Sequence, residues 1–255
     1  MVRNIKLTVA YDGTNYHGWQ TQLDKATIQE TIEKAISIIT KEKAILIGSG
    51  RTDRGVHALG QVANFITETK IETDKIKIAL NANLPRDIRI VSSEEVSLEF
   101  NSRFDAHDKT YMYQIYNDRV NSPFYDRYTY FIPNKLNYEE MECAVKLLVG
   151  THDFKGFMAA GSEVRTTVRT IYEVHFTKEN EIIRLYITGS GFLYNMVRII
   201  AGTLIDIGKG TKEISCIQNA LETKDRTVLG HTARPEGLFL KQVFYDYNSK
   251  KILDI

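Results

Sequence analysis

Residues 44–67 of the chain read AILIGSGRTDRGVHALGQVANFIT. The apolar run at 45–47 and the stretch 61–67 predict two strands that follow one another with no helix between them. Glycines at positions 48, 50 and 55 punctuate the segment that joins the two strands. Glycine can adopt a positive φ and lets a backbone approach a ligand closely, so we predict a tight loop suited to a functional site.

One further strand and one helix are predicted on each side of this central pair of strands. Upstream, apolar residues at positions 5, 7, 9 and 11 predict a strand, and the capping-box spacing of residues 27–30 predicts the start of a helix. Downstream, Thr73 or Asp74 is predicted to cap a second helix that Pro85 ends, and residues 88–96 return as a strand. The predicted order is therefore β-α-β-β-α-β.

The second half of the chain repeats this order without visible sequence identity to the first. The predicted elements are strands at 110–116, 170–177, 182–188 and 238–245, and helices at 137–148, 192–207 and 212–221. Two such split βαβ units predict an α+β fold of two related RRM-like or ferredoxin-like sub-domains, with helices on one face of each antiparallel sheet. The irregular stretch 101–109 is the candidate boundary, which gives sub-domains 1–105 and 106–255.

Composition and charge bound the class of protein. Hydrophobic residues make up 43% of the 255 residues and charged residues 25%, and the formal net charge is +1. These are ordinary globular values, and the charge argues against a basic coat over the whole surface, although charge can be segregated on one face. No apolar run reaches the roughly 20 residues that span a bilayer. With no signal segment and with Cys143 and Cys216 in predicted helices, the sequence predicts a soluble cytoplasmic protein without membrane contact.

Asp53 is the candidate catalytic group. It stands between Arg51 and Arg54 in the glycine-rich loop, where nearby positive charge favours an ionised carboxylate. The planar guanidinium groups suit a phosphate or a base edge. The alternative is a tight turn in which the aspartate caps a helix and the arginines are solvated.

Arg198 lies in the predicted helix 192–207, which has too few polar positions for an exposed face. A largely buried guanidinium needs a carboxylate or several carbonyl groups, because an unpaired buried charge costs several kcal/mol. Asp53 and Asp206 are candidate partners. A side chain that reaches out to solvent from a core helix is the remaining interpretation.

Tyr111 and Tyr113 are two residues apart and therefore share one face of the predicted strand 110–116. Aromatic side chains on a sheet can stack on RNA bases. Core packing is the usual alternative, and we prefer it for Tyr113.

Other chemistries are excluded by residue type. The glycine-rich loop has neither the G-x-G-x-x-G spacing nor the Lys-Ser/Thr pair of a nucleotide-binding loop. The six histidines lack metal-ligand spacing, so no metal is expected, and His57 is interpreted as a structural hydrogen-bonding residue rather than a general base. The nucleophile elbow of acyl-transfer enzymes does not occur in the sequence.

The chain resembles the TruA family of tRNA pseudouridine synthases over essentially its whole length. Its Gly50-Arg51-Thr52-Asp53-x-Gly55-Val56-His57-Ala58 is similar to the family's catalytic signature. Several long motifs follow the family's order, namely 9–20 (VAYDGTNYHGWQ), 103–106 (RFDA), 109–113 (KTYMY), 191–198 (GFLYNMVR) and 231–238 (HTARPEGL).

The resemblance implies an activity and residue roles. Asp53 matches the essential aspartate, Arg198 the arginine that pairs with it, Tyr111 the tyrosine that stacks on the target uracil, and Arg51 the arginine that assists base flipping. The family isomerises uridine to pseudouridine at positions 38, 39 and 40 of the tRNA anticodon arm, without metal or organic cofactor, as homodimers that bind tRNA across both subunits. Its fold has two related sub-domains with a joined antiparallel sheet and a central cleft.

This chain departs from the family's pattern at two positions. Arg54 and Arg234 stand where the family often has a small residue or proline, and both add positive charge near the motifs. Arg54, His57 and Arg103 are candidate RNA contacts. The alternatives are a synthase with a different RNA target, a non-catalytic RNA-binding module, and, more distantly, a phosphate-binding metabolic enzyme.

Overall fold

The computed structural model describes residues 1–161 and 164–246, and in it the chain divides into two units. One unit contains Met1–His107 together with residues 239–246, and the other contains Asp108–Leu238. The elements in chain order are β1 (Arg3–Tyr11), α1 (Ile28–Thr40), β2 (Ile47–Gly48), β3 (His57–Thr67), α2 (Thr73–Asn83), β4 (Ile88–Val96), β5 (Asp108–Asn117), β6 (Tyr130–Ile132), α3 (Tyr138–Val145), β7 (Gly150–Asp153), β8 (Val168–Glu179), β9 (Ile182–Gly189), α4 (Met196–Gly208), α5 (Ser215–Thr223) and β10 (Leu238–Phe244). Residues 162–163 and 247–255 of the second predicted sub-domain lie outside the described residues.

The first unit contains the predicted β-α-β-β-α-β order as β1 to β4 with α1 and α2. Its sheet has the strand order β4-β1-β3-β10, and the short β2 pairs with β3. Ile5, Leu7 and Val9 are fully buried, as the alternation along β1 predicts. β1 pairs antiparallel with both β3 and β4, which makes it an internal strand of this sheet.

The last strand, β10, belongs to the first unit. It pairs in parallel with β3 through Phe239 opposite His57 and Leu240 opposite Ala58. The sequence placed this strand in the sub-domain 106–255, because it follows that segment along the chain. A strand's pairing partner is not encoded in its own alternation, so the return to the first sheet was not visible in the sequence.

The second unit contains the sheet order β5-β9-β8-β7, with β6 in parallel beside β5. The strands predicted at 170–177 and 182–188 are present as β8 and β9 and form an antiparallel hairpin, and Asn180 adopts a φ of 52° in its turn. Helix α4 begins at Met196 and not at Phe192, because Asn195 has a φ of 59° and the chain before it is a loop. Apart from two parallel strand pairs, both units are antiparallel, and the predicted α+β class is confirmed.

The helix starts show which predicted caps form. The spacing of residues 137–140 is that of a capping box, and at α3 the Asn137 side chain accepts a hydrogen bond from the Glu140 N–H. The predicted capping box at α1 is wrong, since Thr27 makes no side-chain cap bond. Backbone carbonyls replace it, because the N–H groups of Ile28 and Gln29 donate to the carbonyls of Gly18 and Trp19.

Two further features complete the fold. At α2 the cap position is Glu72, without a side-chain cap bond, and the predicted cap Thr73 is the first helical residue. Its hydroxyl instead accepts a hydrogen bond from Arg3 at 2.6 Å.

Within residues 1–161 and 164–246, every helix is too short or too polar to span a membrane.

Candidate active site

Hydrogen bonds join the glycine-rich loop of the first unit to the end of β1 and the segment that follows it. The Trp19 N–H donates to the Thr52 carbonyl at 3.1 Å, and the hydroxyls of Tyr11 and Thr52 are hydrogen-bonded at 2.7 Å. Gly18 has a φ of +89°, and a Cβ there would lie 2.5 Å from the Thr52 carbonyl oxygen. Only glycine therefore lets the backbone of this segment lie against the loop.

Asp53 lies at the turn of this loop. Its carbonyl accepts a hydrogen bond from the Val56 N–H at 3.1 Å, and Gly55, with a φ of 76°, donates its N–H to the Tyr16 carbonyl at 3.3 Å. The Asp53 side chain is half-buried, whereas Arg51 and Arg54 are exposed. The loop thus holds a carboxylate in a fixed backbone frame between two arginines that face solvent.

Asp87 stabilises the segment that follows β1 through hydrogen bonds with Tyr16 and Asp12. The Tyr16 hydroxyl donates to Asp87 Oδ1 at 2.8 Å, and burial together with this carboxylate raises the pKa of Tyr16 well above its ordinary value. The Asp12 N–H donates to the Asp87 carbonyl at 2.9 Å. In the sequence, residues 9–20 are recognisable only as a family motif. The Asp-Gly turn and the buried Trp19 within it are the signals that could have identified a supporting segment.

His57 lies in the interior of the first unit. It has no exposed surface, and its ring stacks on Phe239 at a centroid distance of 4.7 Å. Its Nδ1 accepts a hydrogen bond from the Gly13 N–H at 3.0 Å and lies 3.2 Å from Asp12 Oδ1. A buried ring offers no surface to an RNA in this structure. The arrangement is that of the structural interpretation, in which His57 ties β3 to the turn after β1.

The two tyrosines of β5 differ in burial, and core packing is confirmed for Tyr113. Tyr113 is fully buried and its hydroxyl donates to the Arg234 carbonyl at 2.7 Å. Burial is the main reason that the pKa of Tyr113 is raised well above its ordinary value. Tyr111 is half-buried, and the edge of the Phe192 ring packs against it at 5.1 Å with the planes 82° apart. Tyr111 is the more accessible of the two rings.

Arg198 is half-buried on α4 and is fixed by two contacts within the second unit. Its Nε donates to the Ala233 carbonyl and its Nη1 to Asn195 Oδ1, both at 2.8 Å. The Ala233 N–H in turn donates to the Arg198 carbonyl at 3.0 Å. Helix α4 and the motif 231–238 therefore position the guanidinium together.

Asp206, considered as a partner for Arg198, binds His231 instead. Its Oδ2 accepts from the backbone N–H of His231 at 3.1 Å and lies 2.9 Å from the ring Nδ1. Burial opposes ionisation of Asp206, but the hydrogen bonds from His231 outweigh it and lower the pKa of this carboxyl. The interpretation of an Asp206–Arg198 pair is therefore replaced by an Asp206–His231 pair.

The remaining predicted residues lie on the surface of their units. Arg103 is exposed, with its guanidinium 5.8 Å from the centre of the Phe104 ring. Arg234 is exposed and lies over the Tyr130 ring at 5.8 Å. The structure gathers Arg51, Asp53 and Arg54 on one loop, whereas Arg103 stands on a separate irregular segment.

The comparisons with known proteins agree on one family. A family model described as tRNA pseudouridine synthase matches residues 7–105 and 144–246. The tRNA pseudouridine synthase A of Caldicellulosiruptor bescii is 51% identical over 244 residues, which cover 96% of this chain and 100% of that protein. The tRNA pseudouridine synthase A 2 of Clostridium tetani is 50% identical over 248 residues, with 96% and 100% coverage.

A solved structure of a Cbf5-Nop10-Gar1 complex matches 92% of this chain and 57% of that chain, at 13% identity and a TM-score of 0.36. A likeness this low supports no conclusion about this chain. The two relatives span nearly the full length of the chain, and together with the family match they confirm the resemblance seen in the sequence. The chain belongs to the family of tRNA pseudouridine synthases, isomerases that convert uridine in tRNA to pseudouridine.

Proposed function

We propose that this protein forms pseudouridine at positions 38, 39 and 40 of the anticodon stem-loop of tRNAs, with Asp53 as the essential catalytic carboxylate. The observation that carries the proposal is the 51% identity across 96% of the chain to a tRNA pseudouridine synthase A. The geometry of the loop supports it. A turn fixed by backbone bonds to Trp19 and Tyr16 holds one half-buried carboxylate beside exposed arginines.

The reaction needs the target base outside the helical stack. A base in a stem is inaccessible, and swinging it out costs a few kcal/mol. In our proposal Arg51 takes the vacated space and Tyr111 stacks on the extruded uracil. The exposure of Arg51 and the partial exposure of Tyr111 are what these two roles require.

The chemistry detaches uracil from C1′, turns the base and rejoins it to C1′ through C5. Asp53 acts in the ionised form, either as a nucleophile at C1′ or C6 or as the base that removes the C2′ proton. Arg198 pairs with it and favours that form, since an adjacent guanidinium stabilises a carboxylate. The two hydrogen bonds that fix Arg198 within its own unit support this role, because a preorganised cation needs no reordering during the reaction.

Binding of the RNA body is proposed for exposed cations. Arg54 and Arg103 are exposed and can contact phosphates, and the exposed Arg234 adds positive charge to the motif 231–238. We also propose a cytoplasmic homodimer that binds one tRNA across both subunits, as the family resemblance implies.

Release of tritium from tRNA labelled at uridine C5 tests the enzymatic step, because C5 loses its proton when it is joined to C1′. We expect wild-type protein to release tritium, and Asp53→Asn to release none while it binds tRNA nearly as well as wild type. Asp74→Asn, a change of the same charge at an exposed position of α2, is the control and should retain activity. A wild-type protein that releases no tritium would contradict the proposal and favour the RNA-binding module.

Mapping pseudouridines in tRNA from a strain that lacks the protein tests the target positions. We expect the modification to be lost at positions 38 to 40 and retained elsewhere. Loss at other positions only would assign the protein to a different RNA target.

A further inference from the structure

Arg169 is a half-buried arginine that the proposed reaction does not use. It is the second residue of β8 and lies opposite His152 of β7. Arg169 is partly removed from water, and this burial lowers the pKa of its guanidinium. Removal of a cation from water is costly unless an anion or several acceptors compensate it.

The compensation that the described residues give to Arg169 is small. Its Nη1 donates to the carbonyls of Thr166 and Val168, at 2.9 and 2.6 Å. In the described part of the chain, Nε and Nη2 donate to no acceptor, and no carboxylate lies within 4 Å of the guanidinium. A guanidinium has five N–H donors, and these two bonds come from a single nitrogen.

Two other half-buried arginines of this protein, Arg3 and Arg184, have acidic partners. Arg3 pairs with Glu95 at 2.8 Å, and Arg184 pairs with Glu179 at 3.0 Å. The acid nearest to Arg169 in the register of β7 and β8 is Asp153, which follows its partner His152, and that carboxylate is bound to Lys224 at 2.7 Å. Arg169 thus differs from Arg3 and Arg184 in lacking a described anion.

The side chain of Arg169 lies against the loop that carries Phe192. A Cβ on Gly191 would lie 3.7 Å from Arg169 Nε, so the guanidinium runs along the backbone of this glycine. The next residue, Phe192, packs against Tyr111. The edge of the Arg169 guanidinium that has no described acceptor therefore lies in the same region of the second unit as Tyr111, the ring proposed to stack on uracil.

We infer that Arg169 binds a phosphodiester group of the substrate RNA, next to the nucleotide whose base stacks on Tyr111. Nε and Nη2 form the edge of the guanidinium that matches two phosphate oxygens in a bidentate contact. The bonds of Nη1 to two carbonyls hold that edge in place before RNA arrives. The position that we assign to the phosphate, next to the target nucleotide, rests on the proposed function. The binding of an RNA phosphate by Arg169 does not.

The test is RNA binding by Arg169→Ala with an anticodon stem-loop RNA as the probe, measured over a range of salt concentrations. One lost bidentate contact should raise Kd by about tenfold and reduce the slope of log Kd against log salt by about 1. KM should rise more than kcat falls. Arg169→Lys keeps the positive charge but not the planar pair of donors. We therefore expect the wild-type salt slope and a smaller rise in Kd than for Arg169→Ala.

Arg89→Ala is the matched control, because Arg89 also donates from Nη1 to two backbone carbonyls, those of Pro85 and Ile88. It should bind RNA with the wild-type slope. A structural role would give a different result, in which Arg169→Ala lowers Tm and leaves Kd and the slope unchanged.

A scan with single neutral methylphosphonate linkages locates the contact. One linkage near the target uridine should weaken wild-type binding by the same factor as Arg169→Ala, and the variant should be insensitive to that linkage. Additive losses at every linkage would contradict the inference. These measurements need no turnover, so an inactive wild type with the expected binding results would refute the proposed function and leave the phosphate site standing.

Discussion

The Asp206 carboxylate accepts two hydrogen bonds from His231, one from the backbone N–H at 3.1 Å and one from the ring Nδ1 at 2.9 Å. Asp206 stands eight residues after Arg198 on α4, which places the two side chains on one face of the helix. Ala233, two residues after His231, accepts the Nε–H of Arg198. Two side chains of α4 therefore bind the segment 230–233: Asp206 binds His231, and Arg198 binds Ala233. We expect the position of Arg198 to depend on both contacts.

The first prediction concerns Asp206→Asn. The amide keeps the shape of the carboxylate but loses its charge and one acceptor, so the free energy of unfolding should fall by about 1–3 kcal/mol. Activity should fall as well, through the loosened contact of Ala233 with Arg198. Thermal denaturation and tritium release measure the two effects. Full stability with unchanged activity would show that the segment is held by other contacts.

The second prediction is the pH dependence of that stabilisation. The folded-state pKa of Asp206 is depressed below its ordinary value of 3.8, so its contribution is fully present above the unfolded-state pKa. The contribution is lost as the pH falls through the lower, folded-state pKa. The difference in stability between wild type and Asp206→Asn should be constant at neutral pH and shrink below pH 3.8. A difference that grows on acidification would contradict the assignment.

The third prediction uses the close approach of α4 to the same segment. A Cβ on Gly202 would lie 1.9 Å from the His231 carbonyl oxygen, so Gly202→Ala must push the segment away from the helix. We expect a loss of about 2–4 kcal/mol in unfolding free energy and a large loss of activity. Gly210→Ala is the control, since its φ of +70° is strained but its Cβ meets nothing within 4 Å. It should cost about 1 kcal/mol and leave activity intact.

Local patterns predicted much of the fold. The alternation along β1 and the Asn137 cap of α3 both depend on neighbours in sequence, and the structure has both of them. The capping box at α1 failed for the opposite reason. Its N–H groups are satisfied by carbonyls of Gly18 and Trp19, which reach the helix through a turn that propensity does not describe.

Candidate residues of the site could be proposed from the sequence, whereas the contacts that hold them could not. Asp53 and Arg198 were identified from residue type and context, since a lone acid among arginines and a lone cation in an apolar helix are unusual. The contact of Asp206 with His231 joins residues 25 positions apart, and no spacing rule connects them. Arg169 was similarly indistinct in the sequence, because desolvation without a partner is a property of the folded environment.

The fourth prediction separates the two tyrosines of β5. Tyr113→Phe removes the hydrogen bond to the Arg234 carbonyl and should cost about 1–2 kcal/mol of stability, while kcat stays close to wild type. Tyr111→Ala should leave Tm nearly unchanged, because the ring is half-buried, but should lower kcat strongly through loss of the stacking surface. Parallel measurement of Tm and tritium release distinguishes the roles. The reverse pattern would place Tyr113 and not Tyr111 against the uracil.

The fifth prediction tests the structural role of His57. His57→Ala removes the stack on Phe239 and leaves the Gly13 N–H without its acceptor, so we expect a loss of about 2–4 kcal/mol in unfolding free energy. His57→Asn should recover part of that loss, because its amide oxygen can take the place of Nδ1 as acceptor. RNA affinity, measured well below Tm, should match wild type in both variants, since the ring has no exposed surface. Weaker RNA binding with an unchanged Tm would instead make His57 a direct RNA contact, and would require the turn at Gly13 to open when RNA binds.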